Sequence, residues 1–163
     1  MTTSMIAGTG VGIPKNKLTN HDLEKIVDTS DEWIRTRTGI ENRFIADKNQ
    51  NTSDLATMAA KQAMKAADVS AKEIDRIIIA TITGDIGFPS TAVLTQKNLG
   101  AVNAAAFDIA ATCSGFLYGL ELGDSLIGMK KAENVLVIGA ATLSKITDYE
   151  ARNTCVFFGD GAG

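Results

Sequence analysis

The sequence predicts an α/β fold in which parallel strands are joined by helices. Three apolar segments, over residues 76–82, 104–109 and 134–139, have the length of buried strands, and the first is a β-branched run with little alternation. A run of this kind is typical of a strand that is covered on both faces. Two helical segments separate the three strands, and this order favours a parallel sheet with crossover connections.

The amino-terminal part of the chain carries shorter predicted elements. Residues 5–11 are apolar and rich in glycine, and we expect a strand that is closed by a turn. A short helix is predicted over residues 20–27, where the apolar side chains share one stripe. Thr29 and Glu32 have the spacing of a capping box, so a second helix is expected to begin at Thr29 and to end at Gly39.

Three longer helices are predicted in the rest of the chain. Residues 53–67 place apolar side chains at intervals of three and four, which is the period of an amphipathic helix. Ser90 follows a proline and opens a helix that is expected to stop at Gly100. A long helix over about residues 113–130 connects the second predicted strand to the third.

The composition limits the classes of function. The 163 residues are 45% hydrophobic and 21% charged, which is typical of a globular domain. The 19 acidic residues outnumber the 16 basic ones, and the net charge of −3 disfavours binding to nucleic acid. No apolar run approaches the roughly 18 residues of a membrane span. Two cysteines and one histidine provide neither a disulfide scaffold nor a zinc site. We expect a cytoplasmic protein without membrane contact, metal or another cofactor.

Cys113 is the candidate nucleophile. It follows the predicted strand that ends at Ile109 and lies at the start of the next helix, and chemistry in α/β sheets gathers at this edge. A helix start favours a thiolate, which can attack a thioester while nearby backbone N–H groups hold the oxyanion. Gly115 would allow close packing behind it. The alternative is that Cys113 is a small core residue, as we expect for Cys155 in its apolar run.

Several segments resemble one enzyme family. The segment FDIAATCSGFLY, over residues 107–118, is similar to the nucleophile segment of the β-ketoacyl-acyl-carrier-protein synthase III family, which initiates bacterial fatty-acid synthesis. The segments VDTSDEWI over residues 27–34 and TRTGI over residues 36–40 resemble that family's coenzyme A contact segment. The segments FPS over residues 88–90 and FGDGAG over residues 158–163 also fit. The resemblance covers essentially the whole chain, with the motifs in the expected order.

The resemblance implies roles for individual residues. Cys113 would be the acylated nucleophile, with acyl-CoA as a substrate rather than a cofactor. Trp33 would stack on the adenine of coenzyme A, with Arg152 over the other face of the adenine. Thr29 and Arg37 would contact the nucleotide, where a guanidinium suits phosphate by charge and by fork geometry.

The resemblance also implies a role for Phe88, and each of the implied roles has a structural alternative. Phe88 would lie at the acyl pocket and reach across the interface of a homodimer. Each assignment has a structural alternative: Trp33 could anchor a core, Arg37 and Arg152 could be solvated surface charges, and Phe88 could pack within its loop.

The resemblance also implies an incomplete enzyme. Residues 1–163 would be the amino-terminal half of a thiolase-like layered fold, the first βαβαβ half with a mixed, mainly parallel sheet, and the carboxy-terminal half would be absent. In the family, a histidine, an asparagine and a glycine from the second half support decarboxylation and the oxyanion. The one histidine here, His21, is in the wrong place and is expected on the surface. Complete condensing activity is therefore not expected of this chain alone.

The expected reaction joins an acyl group, most readily acetyl, on Cys113 to malonyl-acyl-carrier protein and gives 3-oxoacyl-acyl-carrier protein. Acyl-CoA and acyl-carrier protein are thus the expected partners. Two alternatives stay open. One is a related polyketide-starter or hydroxymethylglutaryl-CoA-type synthase that uses another acceptor. The other is a non-catalytic assembly module, whose exposed apolar surface would be covered by another chain.

Overall fold

The computed structural model describes residues 4–163. The strands in this range are β1 (Asn16–Thr19), β2 (Asn42–Ile45), β3 (Arg76–Ala80), β4 (Ala105–Ile109), β5 (Val135–Thr142) and β6 (Asp160–Ala162). The helices are α1 (Asn20–Leu23), α2 (Asp31–Thr38), α3 (Thr52–Ala67), α4 (Thr91–Leu99), α5 (Gly115–Gly128) and α6 (Arg152–Cys155). Short 3-10 helices lie at Ala71–Glu73, Thr112–Ser114 and Leu143–Lys145.

The main sheet has the strand order β4–β3–β5–β6. Strand β3 is parallel to both of its neighbours, with Arg76 opposite Ala105 on one side and Val135 on the other. Strands β5 and β6 are antiparallel. The sheet is therefore mixed and mainly parallel, which confirms the α/β prediction. Strands β1 and β2 form a separate antiparallel pair.

Helices pack on both faces of the main sheet. Ile77 and Ile79 of β3 share a buried cluster with the alanines of α3. Ile78 points to the opposite face, because successive side chains of a strand alternate, and there it meets α5. A Cβ at Gly119 of α5 would lie 3.7 Å from Ile78 Cγ2. Strand β3 is thus covered on both faces, as its uninterrupted apolar run predicts.

The prediction of a strand over residues 5–11 is wrong. Of the described residues before β1, only Gly12 forms a β-bridge, through two hydrogen bonds with Ala162 of 2.8 and 2.9 Å. A cavity of about 570 Å³ is lined by residues 4–10 together with α3, α5 and β5. The glycines of the segment instead allow close contact with α3, where a Cβ at Gly10 would be 2.2 Å from the Ala59 carbonyl oxygen.

The predicted helices are present, but several of their ends differ. Ser30 rather than Thr29 caps α2, because the Ser30 hydroxyl accepts a hydrogen bond of 3.1 Å from the Trp33 N–H. Gly39 ends α2 in the left-handed region, with φ 73°, as predicted. Helix α1 is shorter than the predicted 20–27. The sequence pattern does not predict β1, β2 or β6, which are only three or four residues long.

Candidate functional site

Two loops leave the main sheet at the same edge. The parallel strands β3 and β4 both end there, and the Thr81 N–H donates a hydrogen bond of 3.1 Å to the Ile109 carbonyl oxygen. Cys113 follows β4, and Phe88 lies in the loop that follows β3. The predicted position of Cys113 at the carboxyl edge of the sheet is confirmed.

Cys113 is exposed and belongs to the 3-10 helix Thr112–Ser114, which leads directly into α5. The α-helix therefore begins at Gly115, later than predicted. Thr112 has a φ of 46°, a left-handed conformation that costs a non-glycine residue about 1–2 kcal/mol. The turn directs the chain sharply from strand to helix and leaves the thiol on the surface. The alternative that Cys113 is a buried core residue is wrong.

The backbone beside Cys113 limits the donors for an oxyanion. The Ser114 N–H donates to the Ala111 carbonyl oxygen at 3.1 Å, and the Gly115 N–H donates to the Thr112 carbonyl oxygen. Both amides are thus already engaged in the turn. Gly115 packs closely, as predicted, since a Cβ there would lie 3.0 Å from the Ala80 Cβ at the end of β3.

Asp108 connects the two loops, a role that is not among the predictions from the sequence. Its carboxylate accepts hydrogen bonds from the N–H groups of Thr91 at 2.8 Å and Ala92 at 2.7 Å. It thereby fixes the start of α4 to the end of β4, and the loop that holds Phe88 leads into that helix. An acidic residue near the end of an apolar strand was the available signal. The Phe88 side chain is 89% exposed, so it does not pack within its loop.

Three of the predicted nucleotide-binding residues meet at a second place. The guanidinium carbon of Arg37 lies 4.5 Å from the centre of the Trp33 ring, and that of Arg152 lies 4.4 Å from it. These are cation–π distances, so neither arginine is simply a solvated surface charge. Trp33 is half-buried and packs on a cluster that we call the α2–α6 cluster. Its members are Leu23, Ile34, Cys155 and Val156.

Two polar atoms of predicted site residues lack partners. Thr29 Oγ1 and Arg152 Nε are buried, and neither has a hydrogen-bond partner within residues 4–163. Since buried polar groups are nearly always hydrogen-bonded, both atoms are suited to a ligand or a water molecule.

The remaining cysteine and the histidine are where the sequence predicts them. Cys155 is fully buried, and burial raises the pKa of its thiol. The His21 side chain is 74% exposed and lies 3.2 Å from Glu24. Arg43, which is 4% exposed, is not predicted from the sequence, because the short strand β2 shows no pattern that marks a buried cation.

The described residues do not gather three His, Cys, Asp or Glu side chains in an arrangement that could hold a metal ion. Within the same range, no helix has both the length and the apolar character needed to cross a membrane.

Comparison with known proteins identifies the family. A protein of Caldanaerobacter subterraneus subsp. tengcongensis, named β-ketoacyl-[acyl-carrier-protein] synthase III, is 60% identical over 158 residues, 97% of this chain and 48% of that protein. The Aquifex aeolicus protein of the same name is also 60% identical, over 97% and 51% of the two chains. The chain belongs to the β-ketoacyl-[acyl-carrier-protein] synthase III family. The family model for 3-oxoacyl-[acyl-carrier-protein] synthase III matches residues 107–163. The chain spans about half the length of the curated relatives it matches.

Two solved structures have the same fold. The crystal structure of 3-oxoacyl-[acyl-carrier-protein] synthase III from Aquifex aeolicus superposes with a TM-score of 0.94 at 58% identity, over 99% of this chain and 52% of that one. The priming β-ketosynthase of the R1128 polyketide pathway superposes with a TM-score of 0.93 at 31% identity, over 96% and 47%. The thiolase-like α/β fold implied by the sequence resemblance is confirmed.

Proposed function

We propose that this chain is the amino-terminal half of a condensing enzyme and that Cys113 accepts its acyl group. The observation that carries the proposal is the exposed Cys113 thiol at the carboxyl edge of the sheet, beside the left-handed turn at Thr112. In the intact enzyme, acyl-CoA, most readily acetyl-CoA, acylates Cys113. Decarboxylative condensation with malonyl-acyl-carrier protein then gives 3-oxoacyl-acyl-carrier protein, which initiates type II fatty-acid synthesis.

The acyl transfer is a thiol–thioester exchange. The Cys113 thiolate attacks the carbonyl carbon of acyl-CoA, and a tetrahedral oxyanion forms. The carbonyl re-forms as the bond to the coenzyme A sulfur breaks. Coenzyme A leaves as a thiolate, which takes up the proton that Cys113 released. Each transfer yields one protein thioester and one free coenzyme A.

Thr29, Trp33, Arg37 and Arg152 would bind the nucleotide of coenzyme A. The Trp33 ring offers a stacking face for adenine, and the Arg37 guanidinium matches a phosphate in charge and shape. Arg152 lies on the Trp33 ring itself, at 4.4 Å, so an adenine that enters between them must displace it. Its Nε forms no hydrogen bond to the described chain, so no such bond is lost when the side chain is displaced.

Phe88 would complete the acyl pocket across the interface of a homodimer. Its side chain is 89% exposed, and Ile86 in the same loop is 56% exposed. Exposed aromatic and aliphatic side chains of this kind are suited to anchoring a partner subunit. The proposed enzyme is a cytoplasmic homodimer that uses acyl-carrier protein as its second substrate.

Chain extension requires groups besides Cys113. We propose that the carboxy-terminal half supplies the histidine and asparagine that support decarboxylation, and a glycine of the oxyanion hole. His21 does not take this role, because it is exposed and belongs to α1, which packs on β1 rather than on the edge that holds Cys113. This chain alone is therefore expected to accept an acyl group without extending it.

A priming synthase of polyketide assembly is the second candidate, favoured by the superposition with the R1128 enzyme. It would use the same nucleophile with a different acceptor, as would a hydroxymethylglutaryl-CoA-type synthase. Replacing malonyl-acyl-carrier protein by other acceptors in the intact enzyme separates these candidates. A non-catalytic assembly module would instead leave Cys113 without an acyl group.

Mass spectrometry of the intact chain after incubation with acetyl-CoA tests the proposal. We expect one acetyl group on the wild-type chain, bound as a thioester to Cys113, and none on Cys113→Ser. The matched control is Cys155→Ala, which removes the buried thiol and should leave the modification unchanged. An adduct that persists in Cys113→Ser, or a folded wild-type chain that stays unmodified, contradicts the proposal.

A further inference from the structure

Arg43 is a buried cation that is held by neutral groups. Its two shortest hydrogen bonds run from Nη1 to Asn20 Oδ1 at 2.8 Å and from Nη2 to the Val156 carbonyl oxygen at 2.6 Å, and Nη1 also donates to the Leu18 carbonyl oxygen at 3.4 Å. No carboxylate of residues 4–163 forms an ion pair with it. Since a buried charge is costly unless it is well hydrogen-bonded, the positions of these two acceptors are strongly constrained.

Asn20 continues the network to α2. It is 1% exposed, and its Nδ2 donates to Asp31 Oδ1 at 2.8 Å and to the Ile40 carbonyl oxygen at 2.7 Å. Asp31 is the first residue of α2, and Ile40 follows the residue that caps its other end. Asn20 thus holds α2 through groups at both of its ends.

The network therefore joins the two helices that carry the nucleotide-binding residues. Helix α2 contains Trp33, and Val156 directly follows α6, which begins with Arg152. The apolar α2–α6 cluster packs the same two helices together, and the network adds hydrogen bonds to that contact. Hydrogen bonds are directional, so the network sets how the start of α6 faces the Trp33 ring.

We propose that Asn20 and Arg43 are positioning residues, which hold α6 against α2 so that Arg152 lies over the Trp33 ring and can cover a nucleotide bound there. The stacking of Arg152 on Trp33 is a feature of the structure, whereas the nucleotide rests on the proposed function. Burial lowers the pKa of Arg43, in agreement with a guanidinium that depends on its few acceptors.

Two variants change the network while they keep its volume. Arg43→Lys retains the positive charge but cannot reach Asn20 and Val156 together, because lysine lacks the planar fork. Asn20→Asp retains the acceptor for Arg43 but loses both Nδ2 donations and places a second carboxylate against Asp31. The matched control is Arg76→Lys, since Arg76 also donates to two carbonyl oxygens, those of Asp75 and Lys131, but at the start of β3.

Trp33 is the only tryptophan of the sequence, so its fluorescence reports on this place alone. We expect Arg43→Lys and Asn20→Asp to make the indole more accessible to acrylamide and to weaken coenzyme A binding about tenfold, the loss of roughly one cation–π contact. Arg76→Lys should lower stability without changing either measurement. Far-ultraviolet circular dichroism verifies the fold of each variant. If only one of the two network variants folds, that variant alone is enough for the test.

A second measurement separates positioning from general destabilisation. If the network acts through Arg152, the effect of Arg43→Lys or Asn20→Asp on coenzyme A affinity should disappear in an Arg152→Ala background. An equal loss in both backgrounds, or an unchanged Trp33 signal in both network variants, overturns the proposal. A wild-type chain that binds no coenzyme A contradicts the proposed function instead, and the acrylamide measurement then decides on positioning by itself.

Discussion

Tyr149 and Cys155 occupy places where a charge is unfavourable. Cys155 belongs to the α2–α6 cluster, and Tyr149 packs against it. Burial raises the pKa of both groups, and the nearby carboxylate of Asp160 raises the pKa of Tyr149 further. Both groups are neutral when protonated, so the folded state favours the protonated forms.

We predict that this cluster makes the chain less stable at alkaline pH. Because both pKa values are raised by folding, the unfolded state loses these protons first as the pH rises, and the free energy of unfolding then falls. The contribution is fully present below the ordinary Cys155 value of 9.0 and decreases above it. Urea unfolding from about pH 8 to about pH 11, followed by circular dichroism, measures it. The double variant Cys155→Ala, Tyr149→Phe should show a flatter dependence, and an unchanged slope would contradict the prediction.

At the scale of elements, the segment over residues 8–12 packs along α3. The spacing of its glycines matches the spacing of successive turns of the helix. Every second residue of the segment is a glycine whose missing Cβ makes room for a carbonyl oxygen of α3. The pairs are Gly8 with Ala63, Gly10 with Ala59, and Gly12 with Leu55. Two residues of extended chain advance about 6.6 Å, and four helical residues advance about 6 Å. The segment therefore runs extended and antiparallel to the helix without being a strand.

Substitution of one of these glycines should be costly. Gly10→Ala would place a Cβ 2.2 Å from a backbone oxygen, and we expect the free energy of unfolding to fall by about 1–3 kcal/mol. Gly128→Ala is the control, because a Cβ there meets nothing within 4 Å, and it should leave stability unchanged or raise it. Urea unfolding of both variants measures the difference. Equal effects of the two substitutions would show that the segment does not pack as described.

The length and the pattern of each element explain which elements the sequence could predict. Helix α3 and strand β3 have long, regular patterns, and both were found with nearly the right ends. Strands β1, β2 and β6 form only because partners distant in the sequence pair with them, and the glycine-rich segment pairs less than its apolar character suggests. Local pattern cannot reveal partners of this kind.

At the scale of the whole molecule, one buried carboxylate joins the β1–β2 pair to the main sheet. Asp160 at the start of β6 is 6% exposed and accepts hydrogen bonds from the N–H groups of Ala46 at 2.7 Å and Ser144 at 2.8 Å. It connects the segment after β2 to the segment after β5. The antiparallel pair of β1 and β2 is thereby attached to the main sheet.

The two parts of the candidate site differed in how far the sequence predicted them. The position of Cys113 at the edge of the sheet follows from a strand, a turn and a helix in succession. The meeting of Trp33 with Arg152 was implied by family resemblance, since these residues are far apart in the sequence. The network of Asn20 and Arg43 was not found by either route, because its bonds to Val156 and Asp31 depend on the folded arrangement.

The most direct measurement of the central claim is the amount of coenzyme A that the chain releases from acetyl-CoA with malonyl-acyl-carrier protein present. We predict a single release of one coenzyme A per chain, without formation of 3-oxoacyl-acyl-carrier protein, and no release by Cys113→Ser. Continued turnover to the 3-oxoacyl product would contradict the claim that extension needs a second half. The absence of any release from the folded wild-type chain would contradict the role of Cys113.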